Sequence, residues 1–387
     1  MEDLQQGWNE LQKAAWFDLS QGSRVLPLSW VLALERADST DLLFSDASAA
    51  TYGLMMRDVP GQNVRLPRGL TVEQVDDSFF KSTKLRWKAW QGSNEKWLGI
   101  TCGLCHTSQI DYEGSSFAIY GGQTQADLIR LLFGDAFDAI EVTLNDPAKF
   151  DRFAKSVLSK DIVFLPGSGD TPENRQMLRD SLASYWAKVK EFYDIDHVDP
   201  RKSGPGRLDA IGLIYKRMAA EAHGEKSSLN TGPEAPVNYP FLWNNHQQDK
   251  VQWNGVVPND IWLGGINLAA LARNTGEVLG VFPDINVTSL PFGGMDGLLS
   301  PGYYSSVNVQ NLVTLEGNLY TLKAPVWPTS WPAPDSSRVE RGRQLYAQEC
   351  AGCHAPLDRN DLTTKLKVSM GYLASHDGKP GIGTDPW

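Results

Sequence analysis

The pentapeptide Cys102-Gly103-Leu104-Cys105-His106 recurs as Cys350-Ala351-Gly352-Cys353-His354, and the two copies together contain all four cysteines of the chain. Two thiols three positions apart can each form a thioether with one vinyl group of the same porphyrin, and the next residue then falls beneath the iron. The spacing therefore predicts two covalently bound haem c groups. The predicted anchors and iron ligands are Cys102, Cys105, Cys350, Cys353, His106 and His354. Each histidine would ligate as a neutral imidazole whose other ring nitrogen is hydrogen-bonded.

Three other uses of these cysteines are weaker predictions. A zinc site with four thiolates would have to join two motifs that lie far apart in the chain, and it leaves the matched histidines unexplained. A thioredoxin-like redox pair does not require a histidine directly after the second cysteine. Buried structural thiols would not repeat the same pattern.

The composition is that of a globular chain of two or three domains, with 387 residues of which 41% are hydrophobic. A net charge of -10 and a pI near 5.2 argue against nucleic acid and anionic lipid as partners and favour a cationic electron-transfer protein. No apolar stretch approaches the ~18 residues of a membrane span. Haem c is attached outside the bacterial cytoplasm, so we expect a periplasmic or secreted protein. The start Met1-Glu2-Asp3-Leu4 lacks the apolar region of a signal peptide, which suggests a mature, trimmed or incomplete N-terminus.

The predicted fold is mainly α, with two cytochrome c-type haem domains, long irregular loops and a few short β-hairpins. Residues 1–95 are predicted to be a loop-rich extension packing on the first haem domain. Residues 96–325 would form that domain, with long loops around its distal pocket. Residues 326–387 would form a C-terminal haem c domain that is incomplete.

Local patterns predict several elements. A hairpin follows the first motif up to Gly121-Gly122, and helices begin after Asp146-Pro147 and Thr171-Pro172. Another helix is predicted over Leu268 to Leu279. The prolines and glycines between Ser203 and Pro258 predict a long segment poor in regular structure, which is a common place for functional loops. A last helix, with Val339, Gly342, Leu345 and Tyr346, should lead into Cys350.

Many short segments outside the motifs also carry a family resemblance. They are Gln21-Gly22-Ser23, Pro27, Ala33-Leu34-Glu35, Gly121-Gly122, Gly204-Pro205-Gly206-Arg207, Asp209-Ala210, Ala235-Pro236, Tyr239-Pro240, Leu242-Trp243, Val251-Gln252-Trp253-Asn254-Gly255, Arg273-Asn274, Gly276-Glu277-Val278-Leu279-Gly280 and Ile382-Gly383-Thr384-Asp385-Pro386. With both haem motifs, they cover most of the chain. The chain resembles the di-haem c-type rubber oxygenases, which belong with the bacterial di-haem cytochrome c peroxidases and the di-haem enzyme that matures methylamine dehydrogenase.

The resemblance implies an oxidoreductase in which the His106 haem, with an open sixth position, activates O2 or H2O2. The His354 haem would transfer electrons. Rubber oxygenases add dioxygen across a double bond of polyisoprene in an apolar, aromatic pocket, whereas the peroxidases use a polar distal group. The Gly-Pro-Gly-Arg and Val251-to-Gly255 segments favour an oxygenase-like ancestry; the substrate is left open, and an apolar isoprenoid-like molecule is one candidate. A di-haem peroxidase and a non-catalytic electron-transfer cytochrome are the alternatives.

The candidate residues around the first haem lie in the long middle segment. We expect Trp253, flanked by Gln252 and Asn254, on the distal side, with Phe241 and Trp243 as an apolar wall. Arg207 is the candidate clamp for a haem propionate, because a guanidinium fork matches a carboxylate. The expected alternatives are loop packing for Trp253 and surface exposure for Arg207.

The remaining histidines and one methionine complete the candidates. His376 and Met370 could supply the second axial ligand of the C-terminal haem, and the family normally has more sequence after its second motif. His197 is expected to be solvated or charge-paired, and His223 to lie at a helix end. His246 could approach a haem, although surface exposure is the stronger expectation.

Overall fold

The structure is a computed structural model and describes residues 2–81, 83–159, 165–196, 203–223, 237–252, 255, 257–281, 283–287 and 303–368. Helix accounts for 40% and strand for 16%, so the fold is mixed α and β. The prediction of a mainly α fold was therefore wrong. Most of the strands are only two to four residues long, and the partners in β4-β5, β8-β9 and β14-β15 lie far apart in sequence, so local alternation did not reveal them.

Eleven α-helices occur among the described residues. They are α1 (Glu10–Asp18), α2 (Leu28–Val31), α3 (Asp46–Thr51), α4 (Cys102–Cys105), α5 (Ala136–Asn145), α6 (Pro147–Leu158), α7 (Pro172–Asp196), α8 (Ala210–His223), α9 (Leu268–Gly280), α10 (Val309–Leu319) and α11 (Ser336–Glu349). A π-helical turn, Arg130–Asp135, precedes α5, and a 3-10 turn occupies Asn245–Gln247. No helix within the described ranges is both long and apolar enough to cross a bilayer.

The fifteen strands of the described ranges form one three-stranded sheet and six pairs. They are β1 (Glu2–Asp3), β2 (Met56–Val59), β3 (Val64–Pro67), β4 (Leu70–Glu73), β5 (Trp97–Ile100), β6 (Thr107–Tyr112), β7 (Ser115–Tyr120), β8 (Arg207–Leu208), β9 (Val237–Asn238), β10 (Lys250–Val251), β11 (Val257–Pro258), β12 (Trp262–Leu263), β13 (Ile266–Asn267), β14 (Ile285–Val287) and β15 (Tyr303–Ser305). The sheet has the order β1-β7-β6, with β1 parallel to β7 and β6 antiparallel to β7. The pairs are β2-β3, β4-β5, β8-β9, β10-β11, β12-β13 and β14-β15, all antiparallel.

The main apolar core runs through the N-terminal half, where helices α2, α5, α6 and α7 pack with β4 and β5. A smaller apolar cluster lies beside the first motif. It contains Trp8 and Trp16, packed at 5.1 Å between ring centroids, together with three leucines of α10 and the turn after it. Cys102 packs against this second cluster. The first motif therefore sits against both apolar clusters.

Local sequence signals located several helices correctly. Asp146 caps α6 through the backbone N–H groups of Ala148 and Lys149, and Pro147 is its first residue. The predictions of helices at Pro172, at Leu268 and before Cys350, and of the hairpin after the first motif, were likewise confirmed. The prediction that residues 203–258 are poor in regular structure was wrong for 210–223, because α8 lies there. Its flanking Gly and Pro clusters hid the helical spacing of its apolar residues.

The C-terminal module has a different character. Helix α11 begins at the cap Asp335 and contains no buried residue. Val339, Leu345 and Tyr346 are all exposed, although they carry the apolar spacing that predicted the helix. Only the stretch after the second motif, at 358–368, makes extensive hydrogen bonds with the rest of the described chain.

Candidate functional site

The first motif forms one helical turn at the end of a buried strand. All four residues of β5 are buried, and Thr101 then bonds the carbonyl of Gly69 through both its N–H and its hydroxyl. Helix α4 follows at once, and its single turn brings the thiols of Cys102 and Cys105 to the same side. The strand end thus fixes where the two thiols point.

The loop from β3 to β4 has to approach this turn very closely. Gly69 has a φ of +86°, and a Cβ built on it would lie 2.2 Å from Cα of Leu104. Only glycine meets both conditions, since it alone adopts positive φ freely and leaves that space empty. The close approach holds the motif turn against β4.

The ring of His106 is oriented by a bond to the main chain. Its Nδ1 lies 2.8 Å from the carbonyl oxygen of Pro240, 134 positions away in sequence. Because a carbonyl oxygen can only accept, Nδ1 must carry the proton, which leaves the lone pair of Nε2 free. This is the tautomer that an iron ligand requires, and the bond has the form of the outer-shell contact that commonly orients a ligating histidine.

Burial decides the charge of all three motif side chains. It lowers the pKa of His106 to about 4, and the nearby positive charge of Arg273 acts in the same direction. It also raises the pKa of the Cys105 thiol to about 12 and that of Cys102 further, with the carboxylate of Glu277 adding to both shifts. At neutral pH the site presents a neutral imidazole and two protonated thiols.

These three side chains line a cavity of about 270 Å³. One wall is mostly apolar and is formed by Trp16, Ile100, Leu213, Tyr239, Phe241 and Leu315. Tyr239 packs edge-on to the ring of His106 at 6.1 Å between ring centroids. An apolar enclosure with a few convergent polar groups is the usual form of a small-molecule or cofactor site.

The polar part of the lining, called the polar wall, comes from α9, α10 and the residue after β10. Its residues are Gln252, Arg273, Asn274, Glu277 and Glu316. Arg273 pairs with Glu316, and the side-chain amide of Asn274 donates to the same oxygen, Oε1, at 2.6 Å. Gln252 donates to Oε1 of Glu277 at 2.8 Å. Glu316 is thus held by two donors, whereas Glu277 accepts from Gln252 and lies close enough to affect both thiols.

The predicted site residues divide into three groups. Phe241 lines the cavity and stacks on Trp243, with ring centroids 4.9 Å apart, and Gln252 lines it as well. Arg207 is exposed on β8 and does not line the cavity, while its neighbour Leu208 does. Trp253 and Asn254 lie outside the described residues.

Sequence reasoning missed the polar wall. Arg273 and Glu277 lie one helical turn apart on α9, whose other inward residues are mainly apolar, and Glu316 interrupts the apolar face of α10. Charged residues on the buried side of an amphipathic helix are the signal that could have found them. Arg273 supplies a guanidinium group to the lining of the cavity. Its positive charge is paired with the carboxylate of Glu316.

The second motif repeats one backbone hydrogen bond of the first in an exposed setting. The N–H of His354 donates to the carbonyl of Cys350 at 2.8 Å, as that of His106 does to Cys102 at 3.0 Å. Cys353 and His354 are exposed, and the carbonyl of His354 accepts from the hydroxyl of Tyr346 at 2.7 Å. No residue of this motif lines the cavity.

The other candidate ligands are placed only in part. His246, which was expected to be exposed, is buried and packs against Tyr320 with ring centroids 4.7 Å apart. His197, Met370 and His376 lie outside the described residues, and the side chain of His223 is not described. Among the residues that the structure does describe, no group of three or more His, Cys, Asp or Glu side chains is arranged to hold a metal ion.

The first motif fits a covalently held haem c. Both thiols and the imidazole face one cavity, the free lone pair is on Nε2, and the surrounding wall is largely apolar. A porphyrin needs such a wall for its faces, and its iron needs a neutral nitrogen donor. Cys102 and Cys105 would hold the group and His106 would ligate the iron.

Comparison with known proteins identifies one relative without a described activity. The chain is 27% identical over 414 aligned positions to the uncharacterized protein y4iJ of Sinorhizobium fredii (strain NBRC 101917 / NGR234), and the alignment covers 99% of this chain. It covers 64% of that protein, so the chain spans less than two thirds of the relative's length. No family model matches the chain, and no solved structure matches it.

Proposed function

We propose that the protein is a di-haem c-type oxidoreductase of the periplasm or the extracellular space. Cys102 and Cys105 would anchor the first haem, and His106 would ligate its iron. The observation that carries the proposal is the bond from Nδ1 of His106 to the carbonyl of Pro240, which orients a neutral imidazole in a cavity that both thiols share. The repeated Cys-x-x-Cys-His sequence, with the same backbone hydrogen bond from the histidine N–H to the first cysteine, supports a second haem ligated by His354.

The two motifs would have different roles. The first faces an enclosed cavity and suits a haem that meets a small oxidant, O2 or H2O2. The second is exposed and suits electron exchange with a partner protein, which the chain's net charge of -10 would favour if that partner is cationic. When bound, haem iron supplies the redox chemistry that no side chain offers.

The polar wall favours hydrogen peroxide as the oxidant. Reducing one peroxide to two waters consumes two electrons, drawn from the partner protein, and two protons, so a proton-transfer group is needed beside the reacting oxygen. Glu277 is the carboxylate that can serve, because Gln252 orients one of its oxygens while its charge is felt at both thiols. Glu316 is less free, since Arg273 and Asn274 both donate to it.

A second candidate function is the oxygenase that the family resemblance implies. Its support is the apolar wall, where Phe241 stacks on Trp243 at the cavity surface and could contact an isoprenoid-like substrate. Phe241 is 54% exposed, which suits a position at the entrance. The third candidate function is that of a non-catalytic electron-transfer cytochrome.

Intact mass spectrometry tests the cofactor proposal. Protein matured in a host that exports it and attaches haem c should carry two covalent porphyrin increments. The double variant Cys102→Ser/Cys105→Ser should lose one increment and Cys350→Ser/Cys353→Ser the other, each serving as the other's control. A colourless product, or a pigment that acidified organic solvent extracts, would refute the proposal.

Paired assays separate the reactions. One assay supplies peroxide with a reduced cytochrome, and the other supplies O2 with a polyisoprenoid. Glu277→Gln should lower peroxide turnover by roughly 10²–10⁴-fold, as expected for loss of a proton-transfer group. Glu10→Gln, at the surface, should retain it. Turnover only with O2 and polyisoprenoid would favour the oxygenase, and haems that bind neither carbon monoxide nor peroxide would leave an electron carrier.

A further inference from the structure

A single turn of the chain forms several hydrogen bonds with the segment that follows the second motif. We call residues 244–249 the clamp turn. The side-chain amide of Gln247 donates to the carbonyls of Asp361 and Thr364, at 3.1 and 2.8 Å, and its own carbonyl accepts from the N–H of Leu366 at 2.7 Å. Gln247 is fully buried, and its Oε1 accepts from Asn244. Both donors of this buried amide are therefore satisfied by the C-terminal segment.

Other residues of the clamp turn hold the same segment. Nε2 of His246 lies 3.0 Å from the carbonyl of Leu362, and that carbonyl can only accept. Asp249 donates its N–H to the carbonyl of Leu366 at 3.0 Å and accepts the N–H of Val368 at 2.7 Å. The segment is thus fixed at several successive positions, a short distance along the chain from His354.

The opposite side of the clamp turn is tied to the cavity. The buried side chain of Asn259 donates to the carbonyls of Asn245 and Gln248, at 2.8 and 3.1 Å. Its Oδ1 accepts from Arg273 at 2.7 Å, and Arg273 in turn pairs with Glu316 in the polar wall. Asn245 and Gln248 also line the cavity themselves. Hydrogen bonds therefore run from the cavity wall to the carbonyls of Asn245 and Gln248, and the backbone of the clamp turn joins these residues to Gln247, which bonds the stretch after the second motif.

We propose that Asn259 and Gln247 are positioning residues that couple the Arg273–Glu316 pair of the cavity to the segment carrying the second haem motif. The role of this coupling rests on the proposed function: it would hold the two haem sites at a fixed position relative to each other. Asn259 and Gln247 are buried and the side chain of Arg273 is only 6% exposed, so these side chains lose their partners if a neighbour moves, and such a network responds as a unit. A change at the cavity is then felt at the second motif.

Hydrogen exchange on the matured full-length protein tests the coupling. The probes are the backbone amides of Leu366 and Val368, which bond the clamp turn directly. Arg273→Gln removes the guanidinium at the cavity end, and we expect exchange at both probes to accelerate by roughly 5- to 150-fold, the range of coupling between sites. The midpoint potential of the C-terminal haem should shift in the same variant.

A double-variant cycle then separates coupling from general loss of stability. Gln247→Met breaks the far end, and combined with Arg273→Gln it should accelerate exchange by less than the product of the single effects, because both break one chain. Additive effects, or unchanged probes in Arg273→Gln, would overturn the proposal. If Arg273→Gln does not fold, Asn259→Asp takes its place, since it keeps an acceptor for Arg273 and loses the donors to the clamp turn.

The control is a buried amide of the same kind elsewhere. Asn174 donates to the carbonyls of Gly167 and Gly169, both at 2.8 Å, and accepts from the N–H of Ala89. Asn174→Leu should leave exchange at Leu366 and Val368 unaltered. Haem content is measured by intact mass spectrometry in the same preparations. A protein without haem would refute the proposed function, whereas the exchange rates would still decide whether the coupling exists.

Discussion

Replacing Gly69 by alanine should destabilise the protein through the first motif itself. The φ of +86° costs an L-residue about 1–2 kcal/mol. The new Cβ would also lie 2.2 Å from Cα and 2.3 Å from N of Leu104, so backbone must shift, and overpacking of this kind costs about 1–3 kcal/mol. We expect the free energy of unfolding to fall by about 2–5 kcal/mol in total.

Gly61→Ala is the matched control, because it separates backbone strain from crowding. Its φ is +70°, yet nothing lies within 4 Å of the position of its Cβ. It should therefore cost only the conformational part, about 1–2 kcal/mol. Both variants lose the same unfolded-state freedom, so that contribution cancels in the comparison.

The assay is urea unfolding of both variants followed by tryptophan fluorescence, together with the intact mass of the matured proteins. Displacing Leu104 should also lower haem attachment at the first motif and leave the second unaffected. The reasoning fails if Gly69→Ala and Gly61→Ala differ by less than about 0.5 kcal/mol, the spread of ordinary surface substitutions. It fails equally if both motifs lose haem to the same extent.

Three further predictions concern charge and helix ends. The bidentate hydrogen bond from Arg152 lowers the pKa of Glu35, so the contribution of Glu35 to stability should be lost as pH falls below the ordinary pKa of 4.5. Glu35→Gln should flatten the acid limb of the plot of unfolding free energy against pH, and an unchanged plot would contradict this. Burial raises the pKa of Glu73, so the contribution of Glu73 to stability is greatest below pH 4.5 and is lost as pH rises. The unfolding free energy of Glu73→Gln should therefore increase relative to that of the wild type from acid to neutral pH, and the opposite trend would refute this. Asn308 caps α10 through the N–H of Asn311; Asn308→Ala should cost about 1 kcal/mol in urea unfolding and Asn308→Gly only a few tenths, and equal costs would exclude capping as the cause.

The sequence was most informative where a local signal decides the structure. Asp146 followed by Pro147 specifies a helix start almost unaided, since one supplies the cap and the other cannot donate within the first turn. The proposed haem motif is equally local, because its two thiols and its histidine fall within five positions. Such features need no knowledge of the rest of the chain.

The remaining features depend on contacts between distant segments. Leu70 pairs with Ile100, and Glu2 with Phe117, so no alternation within one segment reveals these sheets. The carbonyl that orients His106 comes from Pro240, whose role rests on where its backbone lies and not on its side chain. His246 was misjudged for a similar reason, because only the packing of α10 and the C-terminal segment buries it.

The contrast between the two motifs follows from what surrounds each turn. The first is held by β5, by Gly69 and by two apolar clusters, so its thiols are placed before any cofactor arrives. The second follows α11, a 14-residue helix without a buried residue, and isolated helices of that length are marginal in water. Val339, Leu345 and Tyr346 stay 41–55% exposed in the described chain, so a group that covered them would stabilise that helix. A porphyrin attached at Cys350 and Cys353 would provide a large apolar surface next to that helix, whereas in the first site the apolar wall is already formed by protein. Attachment is therefore expected to stabilise the second module far more than the first, which makes the clamp turn the main feature that fixes the second module before haem is bound.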